Sequence, residues 1–325
     1  MHPAFSVIFL TTLIGAGQGL FLALFTAQSY AAVGFVTISN PNQFYAYGSV
    51  IVLILLAAGL ISSFFHLGHP ERAWRTATRW RTSWLSREVI ALPAFMGIVF
   101  IYAAMHYINW DPMLIETEVP LQGQLSLYIG IIGTILSFAL FICTAMIYAC
   151  IKFLQEWHSP LTVINFILLG AASGFTLAAA YSAVMAPNLV TLFATWATII
   201  TLTALLSRIA SLIRNARIKH KSTLQSAIGV RHATIKQKSM GAMGGSFNTR
   251  EYFHNAKMSL FKSMKWVFLI LVFVIPVIML ASGMKNTNTD LLIMAFIIQY
   301  LGLIAERWFF FAQANHPQNL YYQTV

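Results

Sequence analysis

Long apolar runs separated by short polar segments dominate this chain. A helix of about 20 residues crosses the roughly 30 Å hydrocarbon core of a bilayer. Eight runs reach this length, at about 4–32, 44–66, 88–108, 125–151, 160–185, 188–213, 264–284 and 289–313. Only helices or closed barrels satisfy the backbone inside a bilayer, and these runs are too long for barrel strands. The pattern predicts an all-α, polytopic integral membrane protein with eight transmembrane helices.

The composition supports this class. Hydrophobic residues make up 58% of the 325 residues and charged residues only 9%, whereas soluble domains carry roughly 25% charged residues. The sequence predicts a single membrane domain over residues 1–325, with an eight-helix bundle.

Small residues and prolines within the runs predict local features of packing. Pro93 and Pro276 lie inside predicted spans and are expected to kink them. Gly170 and Gly174 lie four residues apart, which is typical of a helix face that a neighbouring helix approaches closely.

The distribution of positive charge predicts the orientation. If the spans alternate, 19 of the 20 Lys and Arg residues lie on one side, and only Lys285 lies on the other. Because cytoplasmic loops of membrane proteins carry the excess of Lys and Arg, both termini are predicted to be cytoplasmic.

Twelve of these basic residues lie between Arg208 and Lys265, and most of them belong to a predicted cytoplasmic loop, 214–263, between helices 6 and 7. Such a loop can lie on anionic lipid headgroups or bind a cytoplasmic partner, and both interpretations stay open. Nucleic-acid binding is not expected, because no base-stacking surface or known module accompanies the charge.

The most unusual segment is "SSFFHLGHPERAWRTATRWRTSWLSREVI", residues 62–90, which places charges between two apolar runs. Arg72, Arg75 and Arg79 repeat every three or four residues, and Trp74, Trp80 and Trp84 are interleaved with them. This pattern is typical of an interfacial helix at the level of the lipid headgroups.

His66 and Glu88 flank that segment at the end of span 2 and the start of span 3, so the two side chains are expected to lie near each other. Each also has a simpler interpretation, an interfacial hydrogen bond for His66 and an ion pair with arginine for Glu88. Together they suit proton exchange with an amphipathic ring compound such as a quinone. Glu306 and Arg307 lie at the same predicted edge, and Gln18 and Gln299 lie deeper.

Other cofactors find little support in the sequence. A membrane haem of the b type usually needs two histidines at similar depth, and His66 and His106 are predicted on opposite sides. Cys143 and Cys150 are too few for an iron–sulfur cluster and are interpreted as packing residues. No metal site is predicted.

Three motifs carry a resemblance to a known family. "HLGHPERAW", followed by "LSREV", with "GAGQG" in the first span, resembles the membrane anchor subunits of DMSO reductase and its relatives. The resemblance implies an eight-helix, haem-free anchor that binds a quinone, either menaquinone or ubiquinone. The family's histidine and glutamate implicated in quinone handling fall on His66 and Glu88.

Residues in or near these motifs and at the same predicted edge extend the candidate site, and the resemblance implies partners. Further quinone-site candidates are Arg72, Ser86 and Gln18, with Trp74, Arg87, Glu306 and Arg307 around them. The implied partners are an iron–sulfur subunit and a molybdopterin catalytic subunit on the cytoplasmic side of a bacterial inner membrane. The chain alone is therefore not expected to be a complete enzyme.

The direction of electron flow stays open in the sequence. "HPERAW", "MHPAF" and the long basic loop are closer to anchors of sulfite-oxidising complexes, which deliver electrons to quinone, than to those of sulfoxide reductases, which withdraw them. Two other classes compete: a proton-coupled secondary transporter, and a purely structural tether. The transporter is disfavoured because the halves show no sequence repeat and the ionisable residues lie at the edges of spans.

Overall fold

The computed structural model describes residues 3–116, 120–219, 221–236, 258–286 and 288–321. Within these residues the chain is helical, and the only β pairing is an isolated bridge between Met113 and Gln124. Eight of the helices are long and apolar enough to cross a membrane. The predicted fold class and number of spans are confirmed.

These eight helices are named α1–α8 in chain order. They are α1 (Phe5–Ala32), α2 (Pro41–Phe64), α3 (Trp84–Tyr107), α4 (Leu125–Ala149), α5 (Pro160–Met185), α6 (Val190–Ala216), α7 (residues 258–286) and α8 (Thr289–Ala312). Shorter helical turns lie at Pro70–Arg79, Pro120–Gly123, Pro187–Leu189, Leu224–Ile228 and Pro317–Tyr321.

The helix boundaries follow from local chemistry. α5 begins with Pro160, which suits the first helical position because it lacks an N–H group, and the Ser159 hydroxyl accepts a hydrogen bond from the N–H of Leu161. α3 begins at Trp84, four residues before its predicted start, because Ser83 caps it by accepting from the N–H of Ser86. α2 ends at Phe64, so His66 lies just beyond it.

The eight helices pack as two sets of four with the same neighbour pattern. In the first set α1 contacts α2 and α4, while α3 contacts α2 and α4. In the second set α5 contacts α6 and α8, while α7 contacts α6 and α8. α1 and α5 pack against each other and are the most buried spans, so they form the centre of the molecule.

The contact between α1 and α5 depends on glycine. A Cβ atom placed on Gly174 would lie 2.0 Å from the carbonyl carbon of Gly19, and one placed on Gly19 would lie 2.2 Å from the carbonyl oxygen of Gly170. The predicted close approach at Gly170 and Gly174 is confirmed, and its partner is the "GAGQG" segment of α1.

α7 contains a π-helical turn at Ile270–Val274, directly before Pro276. Pro276 has no N–H to donate to the carbonyl of Val272 four residues earlier. The Gln299 side chain of α8 donates to that carbonyl at 3.2 Å and also to Thr201 Oγ1 of α6 at 3.2 Å. Gln299 therefore supplies the hydrogen bond to Val272 that Pro276 cannot make. Pro93 lies within α3, which continues through it.

The end of the bundle at which α2 and α6 end and α3 and α7 begin is called the basic end, and the opposite one the far end. A buried hydrogen-bonded network ties α1, α3 and α4 together at the far end. Tyr102 donates to Gln28 at 2.8 Å, Gln28 donates to Ser126 at 2.7 Å, and Ser126 donates to Asp111 at 2.6 Å. His106 lies beside Tyr102 with its ring centroid 4.6 Å away.

The predicted loop 214–263 is only partly covered. α6 extends to Ala216 and α7 includes Met258, and residues 220 and 237–257 lie outside the described residues. Arg208 was counted with the basic loop region, but it lies within α6 with only 1% of its surface exposed.

Candidate functional site

An apolar cavity of about 180 Å³, here called the outer cavity, opens at the basic end between α1, α2 and α3. Its wall is formed by aliphatic and aromatic side chains, including Leu10, Leu60, Phe64, Val89 and Leu92. Two ionisable residues line it, His66 and Glu88. The structure thus brings together the two residues that the sequence singled out.

His66 lies at the mouth of the outer cavity, just beyond the end of α2, and its side chain is exposed. Partial burial lowers the pKa of its imidazole below the usual value, because the protonated form loses solvation. At neutral pH the ring is therefore uncharged, and it can accept a proton from solution on one side and face the cavity on the other.

Glu88 lies in the second turn of α3 and is 7% exposed. The Thr144 hydroxyl of α4 donates a hydrogen bond of 2.5 Å to its Oε1 atom. This hydrogen bond links α4 to α3 and holds the carboxyl group of Glu88 in one position. No sequence pattern distinguishes Thr144 from the many other threonines of the spans.

A second cavity of about 20 Å³, here called the inner cavity, also contacts Glu88. It is lined by polar side chains of several helices, including Thr11, Thr12, Gln18, Ser173 and Arg307, together with apolar side chains of α1, α4, α5 and α8. A cavity of more than about 10–15 Å³ that offers polar partners has room for a water molecule, and this space is large enough for one. Glu88 therefore lies between the apolar outer cavity and a small inner cavity that several polar side chains line.

Arg307 belongs to a buried cluster of three charges, here called the ion triad. Glu306 Oε2 lies 2.6 Å from Arg307 Nε, and Glu306 Oε1 lies 2.8 Å from Arg208 Nε. The three side chains are 0–5% exposed. Glu306 and Arg307 thus pair with each other, and Arg307 also reaches the inner cavity.

Arg208 is a site residue that the sequence did not select. It was counted among the basic loop residues because it lies near the end of a span, where positive charge usually marks topology. Its long side chain instead lies over the rings of Phe268 and Phe309, at 5.3 and 5.8 Å. Sequence alone does not show that a terminal arginine turns inward to meet Glu306.

The segment between α2 and α3 forms an exposed 3₁₀ helix at Pro70–Arg79, here called the lip, so the predicted interfacial helix is present as 3₁₀ turns. Trp74 is 67% exposed, and the Arg75 guanidinium lies 5.6 Å from its ring. Arg72 contacts Glu71 at 3.6 Å. Arg72 and Trp74 do not line the outer cavity, although Ala73 and Thr76 of the lip do.

The remaining predicted site residues have structural contacts. Ser86 is buried at the start of α3, where its N–H bonds to Ser83. Gln18 lines the inner cavity and donates to the carbonyl of Ser137 at 2.7 Å. Arg87 lies 4.1 Å from the Trp84 ring and donates to the carbonyl of Trp80. Of these three, only Gln18 contacts the space beside Glu88.

Comparisons with known proteins show the family of this chain. A sequence profile described as DMSO reductase anchor subunit (DmsC) matches residues 1–322. The chain is 60% identical over all of its 325 residues to the C subunit of sulfite dehydrogenase from Allochromatium vinosum (strain ATCC 17899), whose full length is covered.

A more distant relative is anaerobic dimethyl sulfoxide reductase chain YnfH of Escherichia coli (strain K12). It is 27% identical over 172 residues, which is 49% of this chain and 56% of that protein.

Proposed function

Because the chain belongs to the DMSO reductase anchor subunit (DmsC) family, we propose that it binds a quinone in the outer cavity and exchanges protons with it. The observation that carries this proposal is the position of Glu88, a buried carboxyl group that lines the apolar outer cavity and also the small inner cavity, where polar side chains surround it. His66 at the cavity mouth supplies a second proton-exchanging group.

The outer cavity fits one aromatic ring. A protein cavity of about 150 Å³ binds benzene, and this one measures about 180 Å³. Its apolar wall suits the faces of a quinone ring, while His66 and Glu88 suit the two carbonyl oxygens, which need proton donors upon reduction. Phe64 and Leu67 line the cavity and are exposed on the outside of the bundle, so the quinone tail is proposed to leave past them towards the lipid.

The proposed reaction follows from the name of the 60% identical relative. Sulfite and water yield sulfate, two electrons and two protons at a catalytic subunit. An iron–sulfur subunit passes the two electrons to the quinone, which takes up two protons and becomes a quinol. In this chain His66 and Glu88 provide those protons, and solvent on the basic side replaces them.

The lip is the proposed contact with the iron–sulfur subunit. The lip carries Arg72, Arg75 and Arg79 with exposed Trp74, and exposed Trp80 and Arg81 follow it directly. Arginine and tryptophan are enriched in protein–protein interfaces. The lip also borders the outer cavity through Ala73 and Thr76, so a subunit bound there lies close to the quinone ring.

We further propose that the chain spans a bacterial cytoplasmic membrane with the basic end towards the cytoplasm. This orientation rests on the charge asymmetry of the loops. It places the lip and the mouth of the outer cavity on the side where cytoplasmic subunits assemble.

Filling the outer cavity tests the proposed function. Val89 lines this cavity, whereas its neighbour Ile90 does not and is 46% exposed on the outside of α3. In the purified complex, Val89→Trp is expected to lower sulfite-dependent reduction of a short-chain quinone at least about tenfold, which corresponds to roughly 1.4 kcal/mol of lost binding. Ile90→Trp is expected to leave the rate unchanged.

Sulfite oxidation with a soluble artificial acceptor reports on the catalytic subunit in the same preparations. That activity is expected to persist in both variants. A complex whose Val89→Trp variant reduces the quinone as fast as the wild type would exclude the outer cavity as the quinone site.

A further inference from the structure

Four charged side chains are buried within the membrane-spanning helices that the structure describes: Glu88, Arg208, Glu306 and Arg307. Another buried carboxyl group, that of Glu156, lies in the connection between α4 and α5 and is engaged in an interaction of its own. Burying a charge inside a membrane protein is costly unless an opposite charge compensates it. The net charge of these four side chains therefore decides whether a buried charge is left uncompensated.

The ion triad by itself carries an excess positive charge. Glu306 bridges Arg208 and Arg307, so two guanidinium groups share one carboxylate. Arginine keeps its charge in proteins, and the triad therefore has a net charge of +1. Aromatic rings rather than solvent surround it: the Arg307 guanidinium lies 4.0 Å from the Phe166 ring and 5.2 Å from the Phe310 ring.

Arg307 directs part of this charge towards the inner cavity. Its side chain is 4% exposed, and its Nη1 atom has no hydrogen-bond partner among the described residues. The inner cavity that Arg307 lines is the one that Glu88 lines from the opposite helix set. When Glu88 is ionised, the four buried charges sum to zero.

We propose that Arg208, Glu306 and Arg307 act as one cationic unit that favours the ionised form of Glu88 across the inner cavity. Glu88 then gains its proton when negative charge reaches the quinone, a step that rests on the proposed function. The three residues are positioning residues, because they act on Glu88 and contact neither the outer cavity nor the quinone within it.

Other titratable groups also face Glu88. Cys143 and Tyr148 of α4 interact with it electrostatically, and His66 shares the outer cavity with it. Arg87 precedes it on α3 but is held by the carbonyls of Trp80 and Arg81 on the lip side. Variants of the ion triad leave all of these side chains in place, although Arg307 also interacts electrostatically with Tyr148.

Charge changes of opposite sign within the ion triad test the proposal. Arg307→Gln makes the triad neutral, and Glu306→Gln makes it +2. The protonated fraction of Glu88 is measured by infrared spectroscopy of the purified complex, as the carboxylic C=O band that disappears in Glu88→Gln. Arg307→Gln is expected to raise that fraction at fixed pH, and Glu306→Gln is expected to lower it.

The expected size is roughly a tenfold change in the ratio of protonated to ionised Glu88, as for one unit charge about 10 Å away at an effective dielectric constant near 20. The double variant with Glu306→Gln and Arg307→Gln retains the net charge of +1 through Arg208. It is expected to bring the protonated fraction back towards the wild-type value, although it removes two of the three side chains.

General damage to the fold would move the protonated fraction in the same direction in both single variants and would not be reversed in the double variant. Either that pattern or an unchanged band would overturn the proposal and leave the triad as a structural link between α6 and α8. If Arg307→Gln does not assemble, Arg208→Gln makes the same change of charge. The band is read without quinone, so the outcome is independent of the cavity-filling test.

Discussion

At the scale of single residues, His66 and Glu88 differ in environment although they line one cavity. His66 is at the exposed mouth, while Glu88 is buried and bonded to Thr144. In the proposed reaction, His66 exchanges protons with solution directly, whereas Glu88 receives its proton by way of the inner cavity. The two residues are therefore proposed to act in separate steps.

The pH dependence of quinone reduction is expected to reveal His66. The protonated imidazole is the donor, so the rate falls as pH rises through the pKa of His66. Because partial burial lowers that pKa, the fall is expected below pH ~6.5, the value for an unperturbed histidine. In a profile of steady-state rate against pH, His66→Gln is expected to remove this fall of the rate with rising pH.

His69 provides the matched control. Its side chain is 68% exposed and contacts Glu71 rather than the outer cavity. His69→Gln is expected to keep the fall of the rate with rising pH. If His66→Gln also keeps this fall, His66 does not take part in proton transfer.

The sequence identified individual residues only where a residue type was unusual for its surroundings. A histidine and a glutamate beside apolar spans are conspicuous, and the structure places both on one cavity. Their part in quinone chemistry remains a prediction. Thr144 and Arg208 were not predicted as site residues, because a threonine within a span and an arginine at the end of a span are both common. Only their tertiary contacts distinguish them.

At the scale of helices, the contact between α1 and α5 has the least room for change. A Cβ atom on Gly174 would lie within 2.1 Å of the backbone of Gly19 and Leu20, which cannot rotate away as a side chain would. Gly174→Ala is expected to separate the two helices and to destabilise the folded protein by about 1–3 kcal/mol, the usual cost of overpacking. The shift appears as a lower melting temperature in detergent.

Gly97 of α3 is the matched control, because a Cβ atom there has no neighbour within 4 Å. Gly97→Ala is expected to leave the melting temperature unchanged or slightly higher, since alanine favours helix. If the melting temperature falls equally in Gly174→Ala and Gly97→Ala, the close contact between α1 and α5 is not what determines the effect on stability.

Helix identity was predictable from the sequence, whereas some boundaries and irregularities were not. Hydrophobic length determined the number of spans, but the beginning of α7 at Met258 differs from the predicted 264 because amphipathic turns extend beyond the apolar run. Pro276 signalled a disturbed helix. The π turn and the hydrogen bond from Gln299 to Val272 depend on α8 lying alongside, which no local pattern encodes.

At the scale of the whole molecule, the two helix sets repeat one packing plan without a visible sequence repeat. The glycines of α1 and α5 have equivalent places in it, as Gly19 and Gly174 face each other at the centre. The chemistry is not repeated: Glu88 and the outer cavity belong to the first set, and the ion triad belongs to the second. Their meeting at the inner cavity could not be read from either half alone.

The orientation of the whole molecule is open to a direct test. Cys150 is exposed at the end of α4 on the basic end, so a membrane-impermeant maleimide is expected to label it only from the cytoplasmic side. In a Cys150→Ser background, Ile115→Cys places a thiol at the far end, where the residue is 54% exposed. That thiol is expected to react only from the opposite side, and labelling in the reverse order would invert the predicted topology.

The separation of the inner cavity from the far-end network also has a bioenergetic meaning for the proposed reaction. On α1, Phe21 lies between Gln18 of the inner cavity and Gln28 of the far-end network, and it packs edge-on against Phe95 and Tyr102 with ring centroids 5.4 and 5.7 Å apart. Protons for the proposed quinone reduction then enter from the end at which electrons arrive. Turnover of this kind is electroneutral, so the complex would feed the respiratory chain with reducing equivalents without itself generating membrane potential.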